Sequence, residues 1–195
     1  LLANKLDAAH PYAPYRDEHV RAEFGSIAAK DGQRLHYKLL KPRNLERGQR
    51  YPVLIDVYGG PGVQRVANTW GSLFHQYLAQ NGYVVFAIDN RGSGMRGTRF
   101  ETSLGLRMGH VEVQDQLEGV EFLRGLEYVD PERIGIFGWS YGGYMTLMCL
   151  MQAPDAFAAG VAGAPVRVLA VREVEDLLVR ADVQVGEVLG PLGEP

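Results

Sequence analysis

A serine framed by glycines, Gly138-Trp139-Ser140-Tyr141-Gly142-Gly143, follows directly on the apolar run Arg133-Ile134-Gly135-Ile136-Phe137 and directly precedes a helical pattern over residues 144–152. A chain that passes from strand to helix this abruptly holds the residue at the turn in strained backbone angles. It leaves no room for side chains two positions away. Gly138 and Gly142 supply that room. Strand, Gly-X-Ser-X-Gly and helix in this order form a nucleophile elbow. The turn lifts the serine hydroxyl above the carboxyl edge of a sheet, and the helix beginning beneath it favours a developing oxyanion. Ser140 is the candidate nucleophile, and the Tyr141 backbone N–H is the candidate first oxyanion donor.

The rest of the chain supplies the sheet such a turn needs. Residues 20–41 alternate in two short stretches around Lys30-Asp31-Gly32-Gln33, and Asp-Gly is a strong hairpin signal. Pro52-Val53-Leu54-Ile55-Asp56-Val57-Tyr58 is a continuous apolar run, as is the stretch over residues 83–89. Continuous hydrophobicity means burial on both faces, as in a parallel sheet. Residues 133–137 give a third buried strand and residues 157–162 a fourth. Helical spacing appears over residues 70–81 and over residues 111–126, where Val113, Leu117, Val120, Phe122 and Leu123 recur on one face. Strands alternating with helices predict an α/β domain with a largely parallel sheet and working residues at the strands' carboxyl ends, where the glycine-rich runs fall.

Composition excludes several classes. A net charge of -3 and an isoelectric point near 6.0 give no electrostatic reason to expect nucleic acid. No apolar run reaches the roughly 20 residues of a membrane span. Cys149 is the only cysteine, so one chain forms no internal disulfide and no cysteine-ligated zinc site; it reads as a small core residue. The chemistry indicated calls for no cofactor and no metal. Because the first residue is Leu1, the chain is expected to be a piece of something longer.

Two further loops follow buried strands. In Tyr58-Gly59-Gly60-Pro61-Gly62 the glycines let backbone approach a substrate closely, and the Tyr58 hydroxyl can donate to a tetrahedral oxygen; an aromatic residue at a strand end can equally serve packing alone. Asp89-Asn90-Arg91-Gly92-Ser93-Gly94 has the look of a phosphate cradle, yet it lacks the Lys and Ser/Thr of a P-loop, and nucleotide binding is not expected.

Together with Gly109-His110-Val111-Glu112-Val113-Gln114-Asp115-Gln116, these motifs in this order resemble the catalytic domain of the prolyl oligopeptidase family, most of all its dipeptidyl peptidase IV branch, from about Leu1 to Val166. The resemblance implies an α/β-hydrolase fold, present here as the N-terminal part of the mostly parallel sheet up to the strand after the elbow. It implies that Ser140 is acylated, that the Tyr58 hydroxyl and the Tyr141 amide form the oxyanion hole, and that Val166 in Gly163-Ala164-Pro165-Val166 lines a proline pocket. The implied substrate is a peptide with proline or alanine at the cleaved position, admitted past a β-propeller that precedes the domain in this family.

The sequence also departs from the family. The triad of this fold runs Ser, Asp, His along the chain, but His10, His19, His36, His75 and His110 all precede Ser140. Asp155, Glu173, Glu175, Asp176, Asp182, Glu187 and Glu194 follow it too closely to be the family's acid. His110 reads as a helix-entry surface residue. Residues 1–19 read as a linker, residues 20–166 as a partial peptidase domain, and residues 167–195 as a divergent tail whose stretch 167–178 has an amphipathic helical pattern, as a frameshifted, truncated or engineered terminus would give. The expected function is that of a serine peptidase fragment, inactive by itself for want of the downstream Asp and His. A sheet ending this early keeps an unpaired edge and is expected to self-associate. The alternatives are a carboxylesterase, which usually carries a His-Gly-Gly loop in place of Tyr58-Gly59-Gly60, and a hydrolase-like scaffold that binds without catalysis.

Overall fold

The computed structural model describes residues 10–166 apart from Leu106; the expected tail over residues 167–195 lies outside the described residues. Six strands form one sheet: β1 (Glu23–Ala28), β2 (Arg34–Leu40), β3 (Tyr51–Asp56), β4 (Val84–Asp89), β5 (Val129–Trp139) and β6 (Ala159–Gly163), in the order β1-β2-β4-β3-β5-β6. The β1–β2 and β2–β4 pairs are antiparallel, and the β3–β4, β3–β5 and β5–β6 pairs are parallel. The hairpin turns where Asp-Gly predicts it: Gly32 takes φ 82, its N–H donates to Ala29 O at 2.8 Å, and Gln33 N–H donates to Asp31 Oδ1 at 3.0 Å.

The helices are α1 (Ala13–Arg16), α2 (Leu73–Gln80), α3 (Thr98–Glu101), α4 (Val111–Arg124) and α5 (Tyr141–Gln152). Every residue of β4 is buried, because helices cover both its faces. Val84, Phe86 and Ile88 point into the main core with Ile134, Ile136, Val120, Leu123 and Met145, whereas Val85 joins Leu40 and Ala79 in a smaller cluster under α2. Gly119 lets α4 close on the sheet, since a Cβ there would stand 3.0 Å from the Phe86 ring.

Element boundaries differ from the sequence expectation in instructive ways. The strand expected over residues 133–137 begins at Val129 and passes through Pro131, with a register shift between Tyr51 and Val53 that absorbs the irregularity. The helix expected from residue 144 starts at Tyr141, because periodicity becomes visible only after the glycines that the turn itself requires. In the stretch read as a linker, one helical turn forms at α1, and Tyr12 and His19 pack against Trp70, with ring centroids 6.2 and 4.9 Å away.

Candidate active site

The elbow is built by steric exclusion. Ser140 sits between β5 and α5 at φ 59 and ψ −118, a left-handed backbone conformation costing a non-glycine residue about 1–3 kcal/mol. A Cβ on Gly138 would stand 2.6 Å from Val57 O and collide with the Gly142 carbonyl; one on Gly142 would collide with Val57 O. One on Gly143 would stand 2.5 Å from Gly163 O. The turn is therefore wedged between the ends of β3 and β6. Ser140 N–H donates to Gly163 O at 2.9 Å, while Tyr144 N–H (3.1 Å) and Val166 N–H (3.4 Å) donate to Ser140 O. This brings Val166, half-buried against the core, beside the serine. Among the described residues the Ser140 hydroxyl has no hydrogen-bond partner.

Tyr58 lies two residues past β3, half-buried, its ring 6.0 Å from that of Tyr141 at an interplanar angle of 35°. Gly60 makes this approach feasible, because a Cβ there would stand 2.6 Å from the Tyr58 ring and 3.0 Å from the Tyr141 ring. The Tyr58 hydroxyl, too, has no hydrogen-bond partner among the described residues. The Tyr141 hydroxyl, by contrast, is committed. It donates to Glu112 Oε1 at 2.8 Å in the interior, and burial followed by the adjacent Glu112 carboxylate raises its pKa well above the ordinary phenol value.

In the sequence Glu112, Asp115 and Gln116 stand only as members of a motif, with no role assigned to them. All three are fully buried on one face of α4; Glu112 holds the start of α5, while Asp115 and Gln116 hold neighbouring residues of the loop after β4. Glu112 holds Tyr141 and also accepts the Gly109 N–H at 2.9 Å. Asp115 holds Arg91 through its backbone N–H (2.7 Å) and through Nε and Nη2 (3.0 and 2.6 Å). That hydrogen-bonded contact, and after it the Asp115 charge, raises the Arg91 pKa above its ordinary value. Gln116 Nε2 donates to Asn90 Oδ1 at 2.9 Å, and Asn90 Nδ2 donates to Gly59 O at 3.1 Å. The available signal was that acidic and amide residues occupy the positions i, i+3 and i+4 of a helix whose neighbouring positions Val113, Val120 and Leu123 are core.

The segment after Tyr58 is strapped to the sheet from below. Asp89 Oδ1 accepts the Arg65 N–H at 2.7 Å and the Val66 N–H at 3.1 Å. Asp56 accepts from the Arg65 guanidinium and meets His75 Nε2 at 2.9 Å. Burial alone would raise the Asp56 carboxyl, but the His75 hydrogen bond and the Arg65 charge outweigh it and hold the group below its ordinary value of 3.8. His75 is thus occupied with Asp56, His19 with Tyr12, and His110 is an exposed residue at the start of α4. None of the five histidines bonds to Ser140 among the described residues. A cleft lined by Lys38, Asp56, Arg65, Thr69, Trp70 and His75 lies under α2 and includes neither Ser140 nor Tyr58.

The sheet order, the parallel centre and the strained strand–serine–helix turn together define an α/β-hydrolase. The model of the prolyl oligopeptidase family matches residues 71–179, more than half of the chain, and the chain belongs to that family. It is 43% identical over 168 residues to dipeptidyl peptidase 8 of Mus musculus, covering 84% of this chain and 18% of that protein. To dipeptidyl peptidase 4 of Trichophyton equinum it is 37% identical over 150 residues, covering 75% of this chain and 19% of that protein. Among solved structures, dipeptidyl peptidase 4 of Porphyromonas gingivalis superposes with a TM-score of 0.73 at 39% identity, over 76% of this chain and 21% of that one. The chain thus spans about a fifth of the length of the relatives it matches.

Proposed function

We propose that the chain is the serine-bearing part of a peptidase that cleaves short peptides after proline or alanine through an acyl-enzyme at Ser140. The observation that carries this reading is the elbow: a non-glycine residue held at φ 59, near a tyrosine, with neither hydroxyl hydrogen-bonded among the described residues. Ser140 Oγ attacks the scissile carbonyl carbon and loses its proton to a general base. The Tyr141 amide and the Tyr58 hydroxyl donate to the oxygen that becomes negative, and Val166 contributes an apolar wall for the proline ring. The amine leaves with the proton, and water reverses the sequence to release the acid. The similarity to dipeptidyl peptidases supports the substrate class, and Tyr58-Gly59-Gly60 in place of a His-Gly-Gly loop favours a peptidase over a carboxylesterase.

In this fold the acid and base follow the serine in the chain. Since all five histidines precede Ser140, residues 1–195 alone are expected to be inactive or nearly so. The test is labelling with a fluorophosphonate, mapped by mass spectrometry, with Ser140→Ala as control. The complete protein is expected to label at Ser140 and to hydrolyse a Gly-Pro anilide in preference to a simple nitrophenyl ester. Failure to label, or a preference for the ester, overturns the peptidase reading. Rapid labelling of residues 1–195 alone would show that a base reaches Ser140 from an upstream histidine or from a second chain.

A further inference from the structure

Tyr58 has an unusual mechanical problem for a residue asked to place a hydroxyl. Nothing among the described residues hydrogen-bonds the hydroxyl end, so the ring is aimed by packing, against the core and the tilted Tyr141 ring, and by the backbone that carries it. That backbone turns at once. Gly59 is at φ 73, and a Cβ there would stand 2.9 Å from the Met145 side chain and 3.2 Å from Asn90 Oδ1, so the turn is enclosed by packing. Its carbonyl is fixed by the Asn90 side chain.

We propose that Asn90, backed by Gln116, is the positioning residue for the Tyr58 hydroxyl; this rests on the reading of Tyr58 as an oxyanion donor. Asn90 is fully buried and its amide is satisfied at both ends: Nδ2 donates to Gly59 O at 3.1 Å and to Arg91 O at 2.6 Å, and Oδ1 accepts from Gln116 Nε2 at 2.9 Å. The task needs a short side chain that donates and accepts at once. Aspartate cannot donate to the Gly59 carbonyl, and leucine can do neither. Arg91, the next residue, is locked to Asp115, so both Asn90 and its support are referred to the same helix, α4.

Gln116 supplies the second observation. Its Oε1 is buried without a partner among the described residues, while its Nε2 serves Asn90. A buried acceptor left unpaired destabilises, and a leucine of similar shape would remove it. The glutamine thus leaves its own oxygen unpaired while its amide nitrogen holds Asn90 Oδ1, a buried bond that a leucine would break.

The experiment compares Asn90→Ala and Gln116→Leu, each alone and combined with Tyr58→Phe, in the complete protein. Two readouts are used. The first is independent of activity: with 13C-ring-labelled tyrosine, the Tyr58 resonance, assigned by its loss in Tyr58→Phe, is expected to shift or broaden in both variants. The Tyr51 resonance, whose hydroxyl is anchored on Asn44 O at 2.9 Å, is expected to stay in place. Gln116→Leu removes the unpaired Gln116 Oε1 but leaves Asn90 Oδ1 without its donor, so it is expected to stay folded with an unfolding midpoint no higher than the parent's and to disturb Tyr58 while Tyr51 stays in place, which a general loosening of the fold would not do. The second readout is Gly-Pro anilide hydrolysis. Each variant is expected to lower kcat about 10-fold with KM little changed, and to have less than about a 2-fold effect once Tyr58 is phenylalanine. An unmoved Tyr58 resonance in a folded variant, or equal losses in the presence and absence of the Tyr58 hydroxyl, would overturn the proposal. If the parent protein fails to label at Ser140, the peptidase reading falls while the resonance still decides whether Asn90 places Tyr58.

Discussion

At Ser140 the sequence leaves the backbone no choice. The residue takes a left-handed conformation because Gly138, Gly142 and Gly143 are the only residue type that fits against the carbonyls of Gly142, Val57 and Gly163. The strain is held by the ends of β3 and β6 rather than by the elbow itself. Gly138→Ala is accordingly expected to be among the most damaging single substitutions, costing more than about 4 kcal/mol or preventing folding, because the added methyl meets backbone that cannot swing aside. Soluble yield and urea denaturation check it; a loss under about 1 kcal/mol would show the elbow to be more compliant than this geometry. Glu112→Gln is milder. The amide can still accept from the Tyr141 hydroxyl, but its NH2 then faces the Gly109 N–H, so an interior donor goes unpaired and about 1–3 kcal/mol is lost. The same denaturation measurement reads it, and a neutral result would mean that the Glu112–Gly109 contact carries no weight. Ser140 and its glycines were legible in the sequence because their constraint is local. Glu112, Asn90 and Gln116 were not, because their partners lie 26 to 31 residues away and only the folded sheet brings them together.

At the scale of elements, α4 and the segment after Tyr58 are held by buried polar groups where periodicity alone expects only apolar ones. This explains both what could be read in advance and what could not. The strand β4, the core of β3 and residues 134–137 of β5 announce themselves as apolar runs, whereas Asp130, Pro131, Glu132 and Arg133 at the start of β5 hide it, and Asp31-Gly32 announces the hairpin. The short α3 and the helical turn of α1 carry no such signal, being a few residues long and fixed by contacts such as Phe100 in the core and Tyr12 against Trp70. The Asp56–His75–Arg65 group ties β3 to α2 and to the loop between them, and it makes a pH-dependent contribution. The Asp56 carboxyl is held below its ordinary value of 3.8, so its stabilisation is present above that pH and is lost as the pH falls through the lower value of the folded state. Asp56→Asn is expected to cost about 2 kcal/mol at pH 6, reduced from the usual figure for a broken buried pair because the Arg65 side chain is 37% exposed. The difference between parent and variant is expected to shrink as the pH drops below about 4. Urea denaturation between pH 6 and pH 2.5 measures it, and a difference that stays constant over that range would show that the carboxylate charge does not matter.

At the scale of the molecule, the described residues cover the sheet asymmetrically. Helices α4 and α5 pack one face along its length, whereas α2 covers the other only as far as Phe74, whose ring lies 6.1 Å from that of Phe137. Beyond it, Val161, which pairs with Phe137, is 60% exposed, and Trp139, lying over Gly163, is 64% exposed. Among the described residues β6 pairs only with β5, so an unpaired strand edge and an apolar face occur at the same place. A free edge offers backbone hydrogen bonds to another chain, and the adjoining apolar surface adds a driving force that neither feature has alone. We propose that residues 1–195 expressed alone associate through this edge. Light scattering during size-exclusion chromatography is expected to show a mass that rises with concentration. Val161→Lys, which sets a charge in the middle of the exposed face, is expected to shift the population to monomer without changing the unfolding midpoint by more than about 0.5 kcal/mol equivalent, since the side chain gives up little burial. Cys149 guards the interpretation. Burial, and after it the Glu112 charge, pushes its thiol up to about 12, so in the native chain it is expected to resist a disulfide reagent at pH 8 until the fold opens. Association with Cys149 still protected would place the contact on the native edge. Association accompanied by a reactive thiol would mean that unfolded chains are aggregating, and a concentration-independent monomer would show that the β6 edge is not sticky.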